Sequence, residues 1–265
     1  MAEFLRDKRF SRTNQVDAVL KAFRKAIGTT DATPPESLDR IASSTHLPVP
    51  PGWNEGLRPS IWALDTEFVN LPKSDGCCGL SASLINVITG ETIVNHRLEL
   101  STSPEELFER IVELGAPREQ FMLHYRRPCN LPIISPRELA DLLRSAGVSE
   151  RDYILTWATG WIDYDIVRDF LARENRDTDL LPPREKRTIR VMFAWKALLH
   201  KKQPVGLEYL FKLVFPDSEL NTVGHHVAEL DAKKLAMMAW KLCELKYQPY
   251  QSRLNFRRVM IDLTL

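Results

Sequence analysis

One stretch decides the fold: Ser60-Ile61-Trp62-Ala63-Leu64-Asp65-Thr66-Glu67-Phe68. Its apolar residues are typical of a buried strand, and two carboxylates, Asp65 and Glu67, follow at its end with one residue between them. Because side chains alternate between the faces of a strand, we expect both acids to project from one face. Adjacent carboxylates repel each other unless a positive charge lies between them, and a divalent cation with oxygen ligands meets that need. The alternative is a strand that ends in two solvated acids.

The composition is typical of a globular intracellular protein. The 265 residues are 44% hydrophobic and 27% charged, which suits a domain with a sizeable core. The net charge of +1 points to no partner, so any affinity for phosphates must come from local patches. Four cysteines without a CxxC motif or a disulfide framework favour a reducing compartment, the cytoplasm or the nucleus. No segment reaches transmembrane length and the charged residues 1–10 are unlike a signal peptide, so we expect no membrane partner.

The composition also divides the chain into three parts. Residues 1–59 combine a helical pattern that ends at Gly28 with a proline-rich linker or strap. Residues 60–246 form the predicted compact domain, and residues 247–265 form a basic and aromatic tail. The N-terminal extension is a candidate docking segment for a protein partner, and the oligomeric state stays open.

Within the domain, the pattern predicts a mixed α/β fold. Residues 80–88 and 92–100 predict two strands that continue the first one as an antiparallel meander. Ser103 and Ser135 each precede a proline and, at the third helical position, a glutamate, which is typical of a capped helix start. The basic segment between these helices, residues 117–134, is interpreted as an insertion.

The next apolar strand runs through Trp161 into a helical pattern that carries two acids, Asp163 and Asp165. A carboxylate at a strand-to-helix junction lies by the open end of the sheet, where open α/β sheets place ligands. Counted from Asp163, apolar residues follow at 3, 4, 7 and 8 positions, on one helix face, whereas the phase from Asp165 is shifted by two. Asp163 is therefore the favoured inward acid, and Asp165 stays the alternative.

A histidine and an acid follow near the end of the domain. Asp231 lies five residues after His226, on the first turns of a predicted helix, so the loop histidine and the helix acid can face one site. His225 is one residue out of register. Taken alone, each has a simpler interpretation: an acid favoured by the helix dipole, and an ordinary loop histidine.

Asp65-Thr66-Glu67, Asp163 and His226-x4-Asp231, in this order and on these elements, resemble the DEDDh branch of the DnaQ-like 3′-to-5′ exonucleases, which have the ribonuclease H-like fold. The resemblance covers most of the chain. Its middle block departs from the family pattern, because Thr159 and Ile162 stand where the family usually has an asparagine and an aromatic residue. It implies a mixed five-stranded sheet flanked by helices on both faces, with three antiparallel strands and two more parallel to the first.

The resemblance also implies a chemistry. Carboxylate oxygens suit two divalent cations, Mg²⁺ or Mn²⁺, which stabilise the charge that develops during phosphodiester hydrolysis. The implied metal ligands and catalytic acids are Asp65, Glu67, Asp163 and Asp231. His226 is the implied general base, because its unperturbed pKa lies close enough to 7 to accept a proton from the attacking water.

The implied substrate is a 3′ end of single-stranded RNA or DNA, with RNA favoured, and the implied product is a nucleoside monophosphate. Thr66 and Phe68 are the candidate substrate-binding residues, since this segment lies beside the 3′ nucleotide in the family. Basic clusters at residues 118–127, 184–190 and 200–202 are candidate phosphate contacts, or simply solvated loops.

Two alternative functions stay open. One is a catalytically weak or inactive ribonuclease H-like nucleic-acid-binding or adaptor protein, which gains support if neither Asp163 nor Asp165 reaches the metal site. The other is a metal-dependent hydrolase or endonuclease of the same fold that acts on a different phosphoester.

Overall fold

A six-stranded mixed sheet forms the centre of the molecule, in the order β4-β3-β2-β1-β5-β6. The computed structural model describes residues 18–19, 21–22, 59–71, 76–126, 130–157, 160–174, 178–199, 203–222 and 227–247. The strands are β1 (Ile61–Leu71), β2 (Gly76–Asn86), β3 (Thr92–Leu98), β4 (Ile133–Ile134), β5 (Tyr153–Thr156) and β6 (Thr188–Arg190).

The strand directions confirm the predicted ribonuclease H-like α/β fold. β1, β2 and β3 are antiparallel neighbours, and β5 and β6 run parallel to β1. The sheet has six strands instead of the five expected, because β4 pairs in parallel with the end of β3 at the sheet edge. β4 lies in the segment interpreted as an insertion, and two residues are too few to show the alternation that indicates a strand.

Helices cover both faces of the sheet. They are α1 (Pro104–Glu113), α2 (Glu119–Phe121, followed by the π-helical turn Met122–Arg126), α3 (Pro136–Ser145), α4 (Ile162–Ala172), α5 (Arg184–Arg187), α6 (Val191–Leu198), α7 (Leu207–Val214) and α8 (Ala228–Tyr247). The predicted capping boxes of α1 and α3 are confirmed: each hydroxyl, of Ser103 and Ser135, accepts a hydrogen bond from the backbone N–H three residues later. Of the helices in the described part of the chain, none is long and apolar enough to span a bilayer.

The alternation along β1 divides the core into two layers. Ile61 and Ala63 pack in a buried cluster with α6, α7 and α8, whereas Trp62 and Leu64 pack in a second cluster with α3 and α4. The two acids, Asp65 and Glu67, continue the first set, because side chains two residues apart share a face. They lie within β1 and not at its end as predicted, because the strand continues past them to Leu71. The sheet therefore presents both acids towards α8.

Gly79 on β2 allows α4 to lie close to the sheet. A Cβ atom at this position would come within 2.5 Å of Ile166 Cγ2 on α4 and within 2.9 Å of Leu98 Cδ1 on β3. Only a residue without a side chain fits between these two groups without moving one of them. This close approach sets the position of α4, which carries both acids of the middle block.

A short part of the N-terminal extension packs on the domain. Residues 18–19 and 21–22 are helical, and Val19 and Ala22 are fully buried in the cluster formed with α6, α7 and α8. The predicted proline-rich strap, the C-terminal tail and His226 lie outside the described residues.

Candidate metal and active site

The candidate site lies where β1 extends past its parallel neighbour. β5 pairs with β1 along Ile61–Ala63, so Asp65 and Glu67 lie just beyond the carboxyl end of this parallel pair. This is the edge at which open α/β sheets bind ligands. The pairing with β2 shifts between Glu67 and Phe68, an irregularity directly after the second acid, and then continues to Leu71.

Three carboxylates converge at this edge. One carboxylate oxygen from each of Asp65, Glu67 and Asp231 lies within 4.8 Å of the other two. Glu67 is buried and the other two acids are partly exposed. Asp231 comes from the first turn of α8, where its N–H donates to the carbonyl of Val227 at 3.1 Å and where the helix dipole favours a carboxylate. Segments far apart in sequence thus place three acids together.

Asp163 lies beside this group without joining it. Its Oδ1 accepts hydrogen bonds from the Thr66 hydroxyl at 2.9 Å and from the Thr66 N–H at 3.3 Å. It is buried, and it contacts the residue that separates the two acids of β1. Asp163 therefore adds a fourth negative charge next to Asp65 and Glu67, and its role as a metal ligand stays a prediction.

Asp165, the alternative acid of the middle block, has different surroundings. Its carboxylate pairs with Arg184 at 2.9 Å and with Arg168 at 3.0 Å. About a third of the side chain is exposed to solvent. The structure thus brings Asp163, and not Asp165, next to the converging acids, as the phase of the apolar residues on α4 predicts.

The electrostatics of the site oppose ionisation of these acids. Burial, followed by the charges of Asp163, Asp231 and Glu67, holds the pKa of Asp65 well above its usual value, with Lys234 acting in the opposite direction. Burial and then Asp231 and Asp163 raise the pKa of Glu67 to about 8. Burial raises the pKa of Asp163 to about 6, against the lowering effect of its hydrogen bonds. Burial is thus the main cause of all three shifts, and neighbouring carboxylates add to it at Asp65 and Glu67.

Lys234 is a site residue that the sequence analysis missed. It is fully buried, and its Nζ donates to Asp231 at 3.3 Å and to Glu208 on α7. Lys234 follows Asp231 by three residues, which places both on the same side of α8. That spacing is the signal that points to it. Since the ammonium group is shared with Glu208, it offsets only part of the charge of the acids.

The donor set fits divalent cations. Carboxylate oxygens are the ligands that Mg²⁺ and Mn²⁺ prefer, and ions of this kind keep waters that take part in chemistry. Within the residues that the structure describes, the excess of negative charge at Asp65, Glu67 and Asp231 is what a bound cation would offset.

The predicted substrate-binding residues, Thr66 and Phe68, adjoin the two acids of β1 in the sequence. Phe68 is partly buried against the cluster that contains α3 and α4. Trp157 is buried, and its Nε1 donates to the Val205 carbonyl at 2.9 Å, which makes it part of the core. Thr66 is buried and engaged with Asp163. Binding of substrate by Thr66 and Phe68 stays a prediction.

The arginines of residues 184–190 make contacts with other side chains of the protein. The guanidinium of Arg190 lies 4.3 Å from the ring centre of Trp161, and that of Arg187 lies 4.7 Å from that of Tyr153. Such cation–π contacts hold a cation against an aromatic face. Two other predicted features, the basic residues 200–202 and the pair His225-His226, lie outside the described part of the chain.

Fold and site together define a ribonuclease H-like α/β protein with an acidic candidate metal centre. No protein-family model matches the chain, and no curated protein matches it.

Two solved structures are similar to this chain. One is the pseudoubiquitin hydrolase–RNA exonuclease module of Saccharomyces cerevisiae Pan2 in complex with AACCAA RNA, at 14% identity over 78% of this chain and 32% of that chain, with a TM-score of 0.44. The other is the Neurospora crassa Pan2 catalytic unit, with its protease and nuclease domain, at 15% identity over 90% and 34%, with a TM-score of 0.39. The chain spans about a third of the length of either chain.

Proposed function

We propose that the protein is a metal-dependent 3′-to-5′ exonuclease of the DEDDh type, which removes nucleoside monophosphates from single-stranded nucleic acid. The observation that carries the proposal is the convergence of Asp65, Glu67 and Asp231, with oxygens within 4.8 Å of one another, at the ligand-binding edge of the sheet. Asp163, held against Thr66 beside them, supplies a fourth acid. Four carboxylates in so small a volume are costly for a fold unless they bind cations.

In the proposed site the four acids bind the cations, and Lys234 orients one of the acids. Asp65, Glu67 and Asp231 hold the cations through carboxylate oxygens, and Asp163 completes the set. Lys234 fixes the carboxylate of Asp231 from the side of α7. Two divalent cations, Mg²⁺ or Mn²⁺, supply stabilisation of the charge that develops on the phosphate and on the leaving 3′ oxygen when they are bound.

His226 is the proposed general base. It accepts a proton from the attacking water, whose oxygen forms a bond to phosphorus while the bond to the 3′ oxygen of the preceding nucleotide breaks. The leaving 3′ oxygen takes up a proton, and a nucleoside 5′-monophosphate departs. His226 precedes the first residue of α8 by two positions in the sequence, five before Asp231.

RNA is the proposed substrate in preference to DNA, and it is held by its 3′ end. Phe68, directly after Glu67, is the proposed contact for the terminal base, since stacking on an aromatic ring tolerates any base. The choice of RNA depends on a contact to the 2′-hydroxyl of the substrate.

Labelled single strands test the proposal. RNA and DNA oligonucleotides labelled at the 3′ or the 5′ end are incubated with the full chain in Mg²⁺, Mn²⁺ or EDTA. We expect metal-dependent release of the 3′ label as a mononucleotide and a shortening ladder from the 5′-labelled strand, faster on RNA. Asp65→Asn and His226→Ala should abolish release while leaving the thermal unfolding midpoint within a few degrees of the wild type.

Several results would contradict the proposal. Activity that survives Asp65→Asn would show that the acid cluster is not the reacting centre. Internal cuts without a 3′-terminal product would indicate an endonuclease that acts on the same phosphoester. Digestion in EDTA at the same rate as in Mg²⁺ would exclude the metal-dependent mechanism.

The engagement of Asp163 by Thr66 favours one second candidate, a binding protein without nuclease activity. Because the Asp163 carboxylate accepts two hydrogen bonds from Thr66, it lies outside the group of three converging acids. If it stayed there in the presence of a cation, the site would hold metal with three acids. Binding of labelled RNA with no loss of either label would identify this function.

A further inference from the structure

Two serines on β2 lie directly opposite the acids of β1. Ser81 is the cross-strand partner of Glu67, and Ser83 is the partner of Asp65. Directly opposed residues of antiparallel strands point to the same face, with Cβ atoms about 4.5–5.5 Å apart. Both serines are fully buried, and neither hydroxyl has a hydrogen-bond partner among the described residues.

A third polar side chain extends this row to β3. Asn95 is the cross-strand partner of Ser83, and its Nδ2 donates at 2.7 Å to Glu229, which lies two residues before Asp231 on α8. The Oδ1 of Asn95 is also buried, with no partner in the described part of the chain. Asp65, Ser83 and Asn95 thus form a polar row across three strands, under the first turns of α8.

Buried hydroxyls in native proteins are nearly always hydrogen-bonded, to the protein or to ordered water. A small polar pocket with several donors and acceptors is the kind of place that holds such a water. Residues that ligate metals are in turn oriented by a surrounding layer of hydrogen bonds. Alanine would fill the same strand positions without burying a polar atom, so we expect an ordered water as the partner of the Ser81 and Ser83 hydroxyls.

We propose that Ser81 and Ser83 are positioning residues of the metal site, whose hydroxyls hold ordered water against the carboxylates of Glu67 and Asp65. This water fixes the orientation of the two acids, so that their oxygens meet a divalent cation without rearrangement. The inference rests on the proposed function in one respect, namely that the acids bind metal. For the water beside Ser83, the free Oδ1 of Asn95 is the further partner.

The other face of the sheet provides a matched control. Thr156 at the end of β5 is also fully buried, and its hydroxyl also lacks a partner within the described ranges. Ile154, two residues earlier, packs in the cluster with α3 and α4, so Thr156 faces that layer, on the side of the sheet opposite to Asp65 and Glu67. Thr156→Val therefore removes a comparable hydroxyl from the face of the sheet that does not carry these two acids.

Binding of Mn²⁺ to the full chain, followed by electron paramagnetic resonance of the free ion, tests the inference. We expect Ser81→Ala and Ser83→Ala each to raise the apparent Kd for Mn²⁺, and the double variant to raise it about 10- to 100-fold. Thr156→Val should leave the Kd within twofold of the wild type. The thermal midpoint of the metal-free serine variants should stay close to that of the wild type, because each variant loses a hydrogen bond to water and no hydrogen bond within the sheet.

The possible results separate this inference from the proposed function. If the wild type binds Mn²⁺ and the serine variants bind it with the same Kd, the positioning role is wrong and the proposed function stands. If the wild type does not bind Mn²⁺ at millimolar concentration, the proposed function itself fails. A lower metal-free midpoint in the serine variants alone would show that the hydroxyls support the sheet without metal, which would also overturn the inference.

Discussion

Two groups of acids on this molecule have opposite electrostatic surroundings. At the sheet edge, Asp65, Glu67 and Asp231 converge, with the shared ammonium of Lys234 as their buried cation. On the outer side of α4 and on α5, every acid named here has an arginine against it: Asp165 with Arg168 and Arg184, Asp169 with Arg168, and Glu185 with Arg184.

The two regions differ in how far residues of the chain itself offset the charge of the acids. Solvent-exposed acids that pair with arginine already have a compensating charge, and such ion pairs contribute little to stability. Acids that are buried together keep raised pKa values until something outside the chain supplies positive charge. The acids of α4 and α5 are thus a finished surface, and the acids at the sheet edge are a candidate metal site.

The largest expected effect is a loss of exonuclease activity when one of the two acids of α4 is substituted. Asp163→Asn should lower exonuclease activity about 10²- to 10³-fold, the range seen when one charge-stabilising group is removed from an active site. Asp165→Asn, its control two residues away, should keep activity within about threefold, because its partners are surface arginines. Both are measured as initial rates on 5′-labelled RNA.

Equal losses in these two variants would contradict the assignment of the inward acid. A loss in Asp165→Asn alone would transfer the role of the middle acid to that residue. The thermal midpoints of both variants serve as the check that each remains folded.

The next largest expected effect is a loss of stability when the buried Lys234 is substituted. Lys234→Met leaves the carboxylates of Glu208 and Asp231 without their ammonium partner, and breaking a buried pair in this way costs about 3–5 kcal/mol. Because Glu208 is a third exposed, we expect about 3 kcal/mol in the free energy of unfolding, measured by urea denaturation.

The neighbouring lysine is the matched control for this variant. Lys233 pairs with Glu229 one turn away on α8, where each side chain is about a quarter exposed, and Lys233→Met should cost about 0.2–1 kcal/mol. A loss of less than 1 kcal/mol in Lys234→Met would show that the buried pair is not the internal compensation proposed for the acids.

Features of the candidate site that depend on a single strand or helix could be predicted from the sequence. The alternation of β1 places both of its acids on one face, and the phase of α4 selects Asp163 over Asp165, because both follow from the geometry of a single element. The capping boxes of α1 and α3 are equally local. These features require no knowledge of how the elements pack.

Features that depend on the register between elements were not accessible in this way. The spacing from Asp231 points to Lys234, but its second partner, Glu208, depends on the position of α7. Gly79 is needed because of Ile166 and Leu98, which approach it from other elements. Ser81 likewise became informative only once pairing between β1 and β2 placed it opposite an acid.

The pH dependence of the metal-free protein separates the two regions further. Glu67 has a pKa of about 8 in the folded protein against 4.5 as its usual value, so the folded state holds a proton that the unfolded chain releases. The stability that this proton contributes is complete below pH 4.5 and is lost as the pH rises through 8. Asp163 acts in the same direction through about pH 6.

We therefore expect the thermal midpoint in EDTA to fall between pH 5 and pH 8. Added Mg²⁺ or Mn²⁺ should oppose the fall, because cations bind the ionised carboxylates and so gain affinity as the pH rises. Glu67→Gln should flatten the curve measured in EDTA. A midpoint in EDTA that rises over this range would contradict the raised pKa values.

The smallest expected effect on stability is that of breaking an ion pair in the finished surface of α4 and α5. Arg184→Gln removes an ion pair with Asp165 in which each side chain is about a third exposed. A double-mutant cycle with Asp165→Asn should give a coupling of about 0.2–1 kcal/mol, which decreases as salt is added. Nuclease activity should stay close to that of the wild type. If Arg184→Gln instead lowered activity tenfold with stability unchanged, this arginine would contact the substrate, and the division between a finished surface and a ligand site would fail.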